Sequence, residues 1–304
     1  MQFDQTGLGE ATITFSSGGF TLNWTTQPVG AFALYYLAIG GTGYANAAVV
    51  PWTANTTNGN QTVTSAIGFT PSCVITIGTG DANASPSTIA NSIYCIGAMD
   101  SAGNQWAKYG YAGNGLATTS TTSIQLTDSC IVGCGGGTSV LDKASYVSMN
   151  SGGFTINWTL SGSAYKFISL CLKGPIQVGH WSKTTAAATA TDTITTTGIT
   201  PVAVFTTNDC AIASTSVNTG YRLAVGASDG TNNGALIVTN KNGVTTDVVD
   251  KANNQFNSIL VANTDTQVYD AVATVGNFTS GSFQATWTTN NNVATQICYV
   301  AIGH

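Results

Sequence analysis

The chain has 304 residues, 43% hydrophobic and only 7% charged, with a formal net charge of −5. That length allows two domains with separate cores, and the apolar content excludes a disordered chain. The 8 Lys and Arg residues form no basic stripe, which argues against nucleic-acid binding; no run reaches the ~18 apolar residues of a membrane span, and residues 1–20 lack the pattern of a secretory leader.

Thr, Ser, Asn and Gly stand where charge is usual. With many β-branched residues, this mix predicts an all-β protein. A surface so poor in charge suits a protein partly covered in an assembly, or plain Thr/Ser/Asn solvation of exposed strands.

In chain order, FDQT (3–6) precedes GGFTLNWTT (18–26), and YYLAIG (35–40) follows as a second apolar run. GFTPSCVITIG (68–78) and SIYCIGA (92–98) read as strands, separated by turn signals such as AGN (102–104). Gly133, Gly135, Gly136 and Gly137 follow a strand-like run with no helix after them, so they read as a tight connection rather than a phosphate loop. LDKA (141–144), GGFTINWTL (152–160) and SLCLKG (169–174) come next. The second half continues with GITPVAV (198–204), YRLAVGA (221–227), GALIVTN (234–240), YDAV (269–272), GSFQATWTT (281–289) and CYVAIG (298–303). In GFTINWTL, Phe154, Ile156 and Trp158 alternate with Thr155, Asn157 and Thr159, the period of a strand.

Trp24, Trp158 and Trp287 are separated by 134 and 129 residues, and each is followed 16 residues later by a glycine: Gly40, Gly174 and Gly303. The expected fold is two tandem antiparallel β-sandwich (jelly-roll-like) units related by an internal repeat of about 130 residues. Residues 1–41 read as the closing β segment of a partial repeat packed on the first unit, 42–174 as sandwich unit 1 and 175–304 as sandwich unit 2. Three closing segments then serve two front halves. Either one hairpin bridges units or chains, or further units lie upstream. Phe20, Trp24, Phe154, Trp158, Phe283 and Trp287 are the expected core of the repeat.

Chemistry-bearing residues are sparse. Most of the seven cysteines align with Ala, Leu or Val in the other copies, as for Cys73 with Ala203 and Cys171 with Val300, and so read as small core hydrophobes. A disulfide, within or between chains, is the alternative. No zinc spacing and no G-x-S-x-G elbow is present, and His180 reads as a loop residue. Asp4, Asp142 and Asp270 recur at matching places, as do Asp100 and Asp229, and read as turn caps. No catalytic residue, metal ligand or cofactor site is expected. Trp52, Trp106, Tyr109, Tyr111 and Trp181 lie outside the Trp motif in loop-like surroundings and are the candidates for a glycan or partner contact.

The G-x-T-P-x-x-V strands (GFTPSCV, 68–74; GITPVAV, 198–204) and the F-x-x-x-W-T closing strands resemble those of structural proteins of tailed bacteriophages. These are β-sandwich proteins of capsid decorations, head fibres or tail fibres. The resemblance covers most of the chain. It implies a non-enzymatic virion component, an extracellular particle as its location, and other copies of itself and other virion proteins as partners. The competing expectations are a carbohydrate-binding adhesin using the extra aromatics on a host or cell surface, and a subunit of a microbial surface filament. Neither nucleic acid nor membrane is an expected partner.

Overall fold

A computed structural model of the protein describes residues 9–27, 36, 38–39, 43–44, 46–64, 67–82, 91–134, 139–210, 217–246, 249–262 and 268–304. Asp4, Gly40 and the glycines at 135–137 lie outside the described residues. The described residues are all-β, with 23 strands and no helix. Contacts divide the chain into Met1–Ala38 and Ile39–His304.

The first body contains β1 (Glu10–Ser16) and β2 (Gly19–Thr26), an antiparallel hairpin forming a sheet of its own. Ala11, Ile13 and Phe15 stand opposite Trp24, Leu22 and Phe20. Residues directly opposite share a face, so one side of the hairpin is apolar. The other side is Thr, Ser and Asn, with Asn23 Nδ2 donating to Thr14 Oγ1 at 2.9 Å.

The second body begins with β3 (Asn46–Thr53), β4 (Gly59–Thr64), β5 (Cys73–Gly78), β6 (Ser92–Asp100), β7 (Gln105–Ala112) and β8 (Thr121–Leu126). There follow β9 (Ile131–Cys134), β10 (Val140–Asn150), β11 (Gly153–Leu160) and β12 (Lys166–Lys173). Then come β13 (Ile176–Ser182), β14 (Thr191–Thr195), β15 (Pro201–Asn208), β16 (Asn218–Thr219), β17 (Tyr221–Ser228) and β18 (Asn233–Asn240). The chain ends with β19 (Val249–Asn254), β20 (Ile259–Ala262), β21 (Tyr269–Thr279), β22 (Ser282–Thr289) and β23 (Gln296–Gly303).

These strands form four antiparallel sheets, ordered β4-β11-β10-β9, β16-β8-β7-β6-β5-β12-β3, β13-β23-β15-β17-β18-β19 and β14-β22-β21-β20. The first two share a core that includes Val74, Tyr109, Phe154, Ile156, Trp158 and Phe167. The last two share one that includes Val204, Val261, Phe283, Trp287, Ile297 and Tyr299. The seven- and six-stranded sheets also meet each other through their outer faces. Cys73, Ala98, Trp106 and Leu172 there join Ile176, Val178, Cys298 and Val300. The order of layers is therefore four, seven, six and four strands.

That layering explains the sequence pattern. β11 and β22 cover one face only and alternate, whereas β8 and β23 are buried at every residue. In β23, Ile297, Tyr299 and Ala301 enter one core, while Cys298 and Val300 enter the contact between the large sheets. β23, covered on both sides, accordingly reads as a near-continuous apolar run, whereas β8 (TTSIQL) is as fully buried with a mostly polar sequence. The closing strands also differ by one residue. Alignment by the closing glycine matches Cys171 with Val300, yet Cys171 faces its own core and Val300 faces the neighbouring sheet.

Two glycine features are decisive. The three Trp-bearing strands are each entered through a turn with a left-handed glycine, Gly18, Gly152 and Gly281, at φ of 83°, 85° and 82°. Gly97 on β6 and Gly226 on β17 permit a backbone crossing. A Cβ on either would sit 2.0 Å from a carbonyl oxygen, that of Cys130 or Ser258.

Candidate functional site

The five candidate contact aromatics all lie on strands rather than in loops, and they do not form one site. Trp106 has no exposed surface, and its Nε1 donates to Tyr299 O across the two large sheets at 3.0 Å. Tyr109 is buried in the first core and Tyr111 packs half-buried against it. Trp52, on β3, stacks on Phe167 at 5.0 Å and meets Phe154 edge-on at 6.0 Å and 79°. Its Nε1 donates to Ser169 Oγ at 2.9 Å. Trp181, on β13, meets Phe283 edge-on at 5.9 Å and 80°.

Trp52 and Trp181 therefore do the same job in the two cores, although the sequence reading set them outside the repeat. Their separation is 129 residues, the spacing of Trp158 and Trp287, and that signal would have found them. QWAKYGY (105–111) looks loop-like because Gln105, Lys108 and Gly110 interrupt it and β7, buried on both faces, shows no alternation of apolar and polar residues.

The Trp-motif aromatics divide by body. Phe154 and Trp158 are 1% exposed, and Phe283 and Trp287 are 0% exposed. Phe20 and Trp24, in the hairpin, are half-buried. Trp158 Nε1 donates to Gln61 Oε1 at 2.7 Å. Asp192 Oδ2 accepts from both Trp181 Nε1 at 3.0 Å and Trp287 Nε1 at 2.9 Å. These indoles are fixed as core parts with their polar ends satisfied.

The aspartates hold backbone. Asp100 Oδ1 accepts from Ala102 N and Asn104 N, both at 3.0 Å, and Asp229 Oδ1 accepts likewise from Thr231 N and Asn232 N. Asp100 also receives Val178 N on Oδ2 at 2.9 Å, which links the large sheets. Asp142 instead accepts from Gly162 N, twenty residues on, and burial raises its pKa. Asp270 is raised by burial as well, with Lys183 opposing.

His180 lies on β13 rather than in a loop, with Nδ1 2.8 Å from Gln296 Nε2, and burial lowers its pKa. Cys73, Cys95, Cys130, Cys171 and Cys298 are buried free thiols, and Cys210 is a half-buried one. Burial pushes Cys95 up to about 12 and Cys171 and Cys210 up to about 11. Such thiols are poor nucleophiles. Among the described residues, no group of three or more His, Cys, Asp or Glu could hold a metal ion.

Two features stand apart from this structural use. Lys108 on β7 has no exposed surface, and its Nζ has no hydrogen-bond partner. It faces Asp209, Cys210, Cys298 and Arg222, and burial brings its pKa down to about 8. A cleft of about 440 Å³ is lined by Arg222, Asp270, Asn291 and Cys210, with Arg222 Nε and Asn291 Oδ1 unpaired.

No family model, no curated protein and no solved structure matches this chain.

Proposed function

We propose that this chain is a non-enzymatic structural protein of a tailed-phage virion, decorating the head or forming part of a fibre. In this reading residues 46–173 and 176–303 are two copies of one ten-strand, jelly-roll-like sandwich, and the hairpin β1-β2 is a third copy of its closing part. The observation that carries the reading is correspondence of construction. The order β3-β12-β5-β6-β7-β8 answers strand for strand to β13-β23-β15-β17-β18-β19, and β4-β11-β10-β9 answers to β14-β22-β21-β20. In each copy the first two strands pair with the last two, one in each sheet, which is the winding of a jelly roll.

The hairpins agree in detail. A register shift falls at Glu10/Ala11, Lys143/Ala144 and Val272/Ala273, and in each case the alanine pairs with the Trp. Residues that recur with such fidelity serve packing, and the aromatics that a sugar site would need are spent on the cores. Placement in a virion rests on the resemblance of GFTPSCV and GITPVAV to phage structural proteins. The contacts proposed are with other copies and other virion proteins. Immunogold electron microscopy on purified phage particles tests this reading. Gold at regular positions on heads or tails is expected, and gold confined to host debris contradicts it.

A further inference from the structure

The hairpin β1-β2 carries an apolar face that is exposed toward its turn, at Ile13 and Phe15, and closed at its other end, where Ala11 is 4% exposed. Ile13 is 47% exposed and Phe15 81% exposed. Their face-mates Phe20, Leu22 and Trp24 are only half-buried. Tyr36, 72% exposed, meets Phe20 edge-on at 4.9 Å and 78°. Phe283 and Tyr299 make the same contact at 5.2 Å and 78°, but there both residues are at most 3% exposed. In that setting a strand bearing Trp181 lies over Phe283. Among the described residues of its own body, the hairpin thus has one layer of such a core and no strand laid over it.

We propose that this face is a self-association surface, covered by the same face of a second copy of the chain. The inference rests on the reading of the hairpin as a third closing segment. Three observations favour a second copy. The face is self-complementary in chemistry, aromatic and aliphatic throughout. Residues 9–27 carry a single charge, Glu10, so two copies face to face meet no dense like-charge repulsion. The area also suffices: the exposed parts of Phe15, Tyr36 and Ile13, with the smaller exposed remainders of Phe20 and Trp24, amount to roughly 500 Å² per copy. Two copies would bury on the order of 1,000 Å², the lower bound for a specific interface. A two-fold axis lets one patch serve both partners.

The test is sedimentation equilibrium of the full chain. Wild type is expected at twice the 31.0 kDa chain mass, dissociating on dilution through the micromolar range typical of small interfaces. The double variant Ile13→Thr with Phe15→Ser, both at exposed positions, should sediment as single chains with an unchanged circular dichroism spectrum. Val49→Ser, at a 65% exposed site on β3, should leave the dimer intact. A wild-type chain monomeric at about 50 μM, well above that range, would overturn the proposal. So would a double variant that still dimerises, or dissociation caused by Val49→Ser. A chain that dimerises in this way but is absent from virions would leave the surface standing and defeat only the virion reading.

Discussion

Replacing Lys108 with Met should stabilise the protein. The ammonium lies between two sheets with no hydrogen-bond partner and no exposed surface. Burial disfavours its charge most, while Asp209 favours it and Arg222 opposes it. At about 1.4 kcal/mol per pH unit, the fall from 10.5 to about 8 amounts to roughly 3 kcal/mol of strain in the charged form. Met keeps the length and apolar stem without the charge, and so escapes that cost of roughly 3 kcal/mol. Removing the cation also strips Asp209 of one favourable neighbour, so a gain of about 1–3 kcal/mol at pH 7 is expected.

The pH dependence has a definite sign. The unfolded chain holds the lysine proton up to about 10.5, whereas the folded chain releases it at about 8. Between those values the unfolded state binds more protons, so this residue makes wild-type stability rise with pH. The Lys108→Met protein lacks that rise, and the difference between the two should shrink steadily from pH 8 to 10.5. Urea unfolding at pH 7, 8, 9 and 10 measures it. A variant less stable than wild type at pH 7, or a difference independent of pH, would refute the reasoning.

Trp158→Ala, at a fully buried indole bonded to Gln61, should cost about 3–5 kcal/mol in urea unfolding; Trp24→Ala, at a half-buried one, should cost clearly less. Gly97→Ala and Gly226→Ala should each lower stability by about 1–3 kcal/mol or more, since the new Cβ lies 2.0 Å from a backbone carbonyl; wild-type melting temperatures would contradict the crossing. Aromatic-disulfide titration of the native protein at pH 8 should leave Cys73, Cys95, Cys130, Cys171 and Cys298 unreacted until denaturant is added. Prompt reaction of any of these five, resolved by peptide mass, would show that its core opens.

The hairpins were the legible part of this fold. GGFTINWTL alternates because β11 covers one core only, and its turn requires a left-handed glycine that Gly152 supplies. The contact between the two large sheets was not legible. It depends on which outer faces meet, and a strand such as β23 or β7, buried on both sides, carries no alternation to reveal its faces. For that reason Trp106 looked like a spare surface aromatic. Trp52 and Trp181 failed for a different reason. Their neighbours VVP and VGH share little, and only the 129-residue spacing ties them together. The two-residue β16, which joins β8 through Asn218 and Thr219, is too short to leave a pattern.

We propose that this chain is building material of a virion. Quantitative peptide mass spectrometry of any density-gradient-purified virus particles released by the organism or virus that carries its gene puts that proposal to the test. Peptides of this chain are expected in fixed proportion to the major capsid or tail proteins, in fraction after fraction. Their absence from intact particles, with the protein recovered only in the soluble lysate, would contradict it.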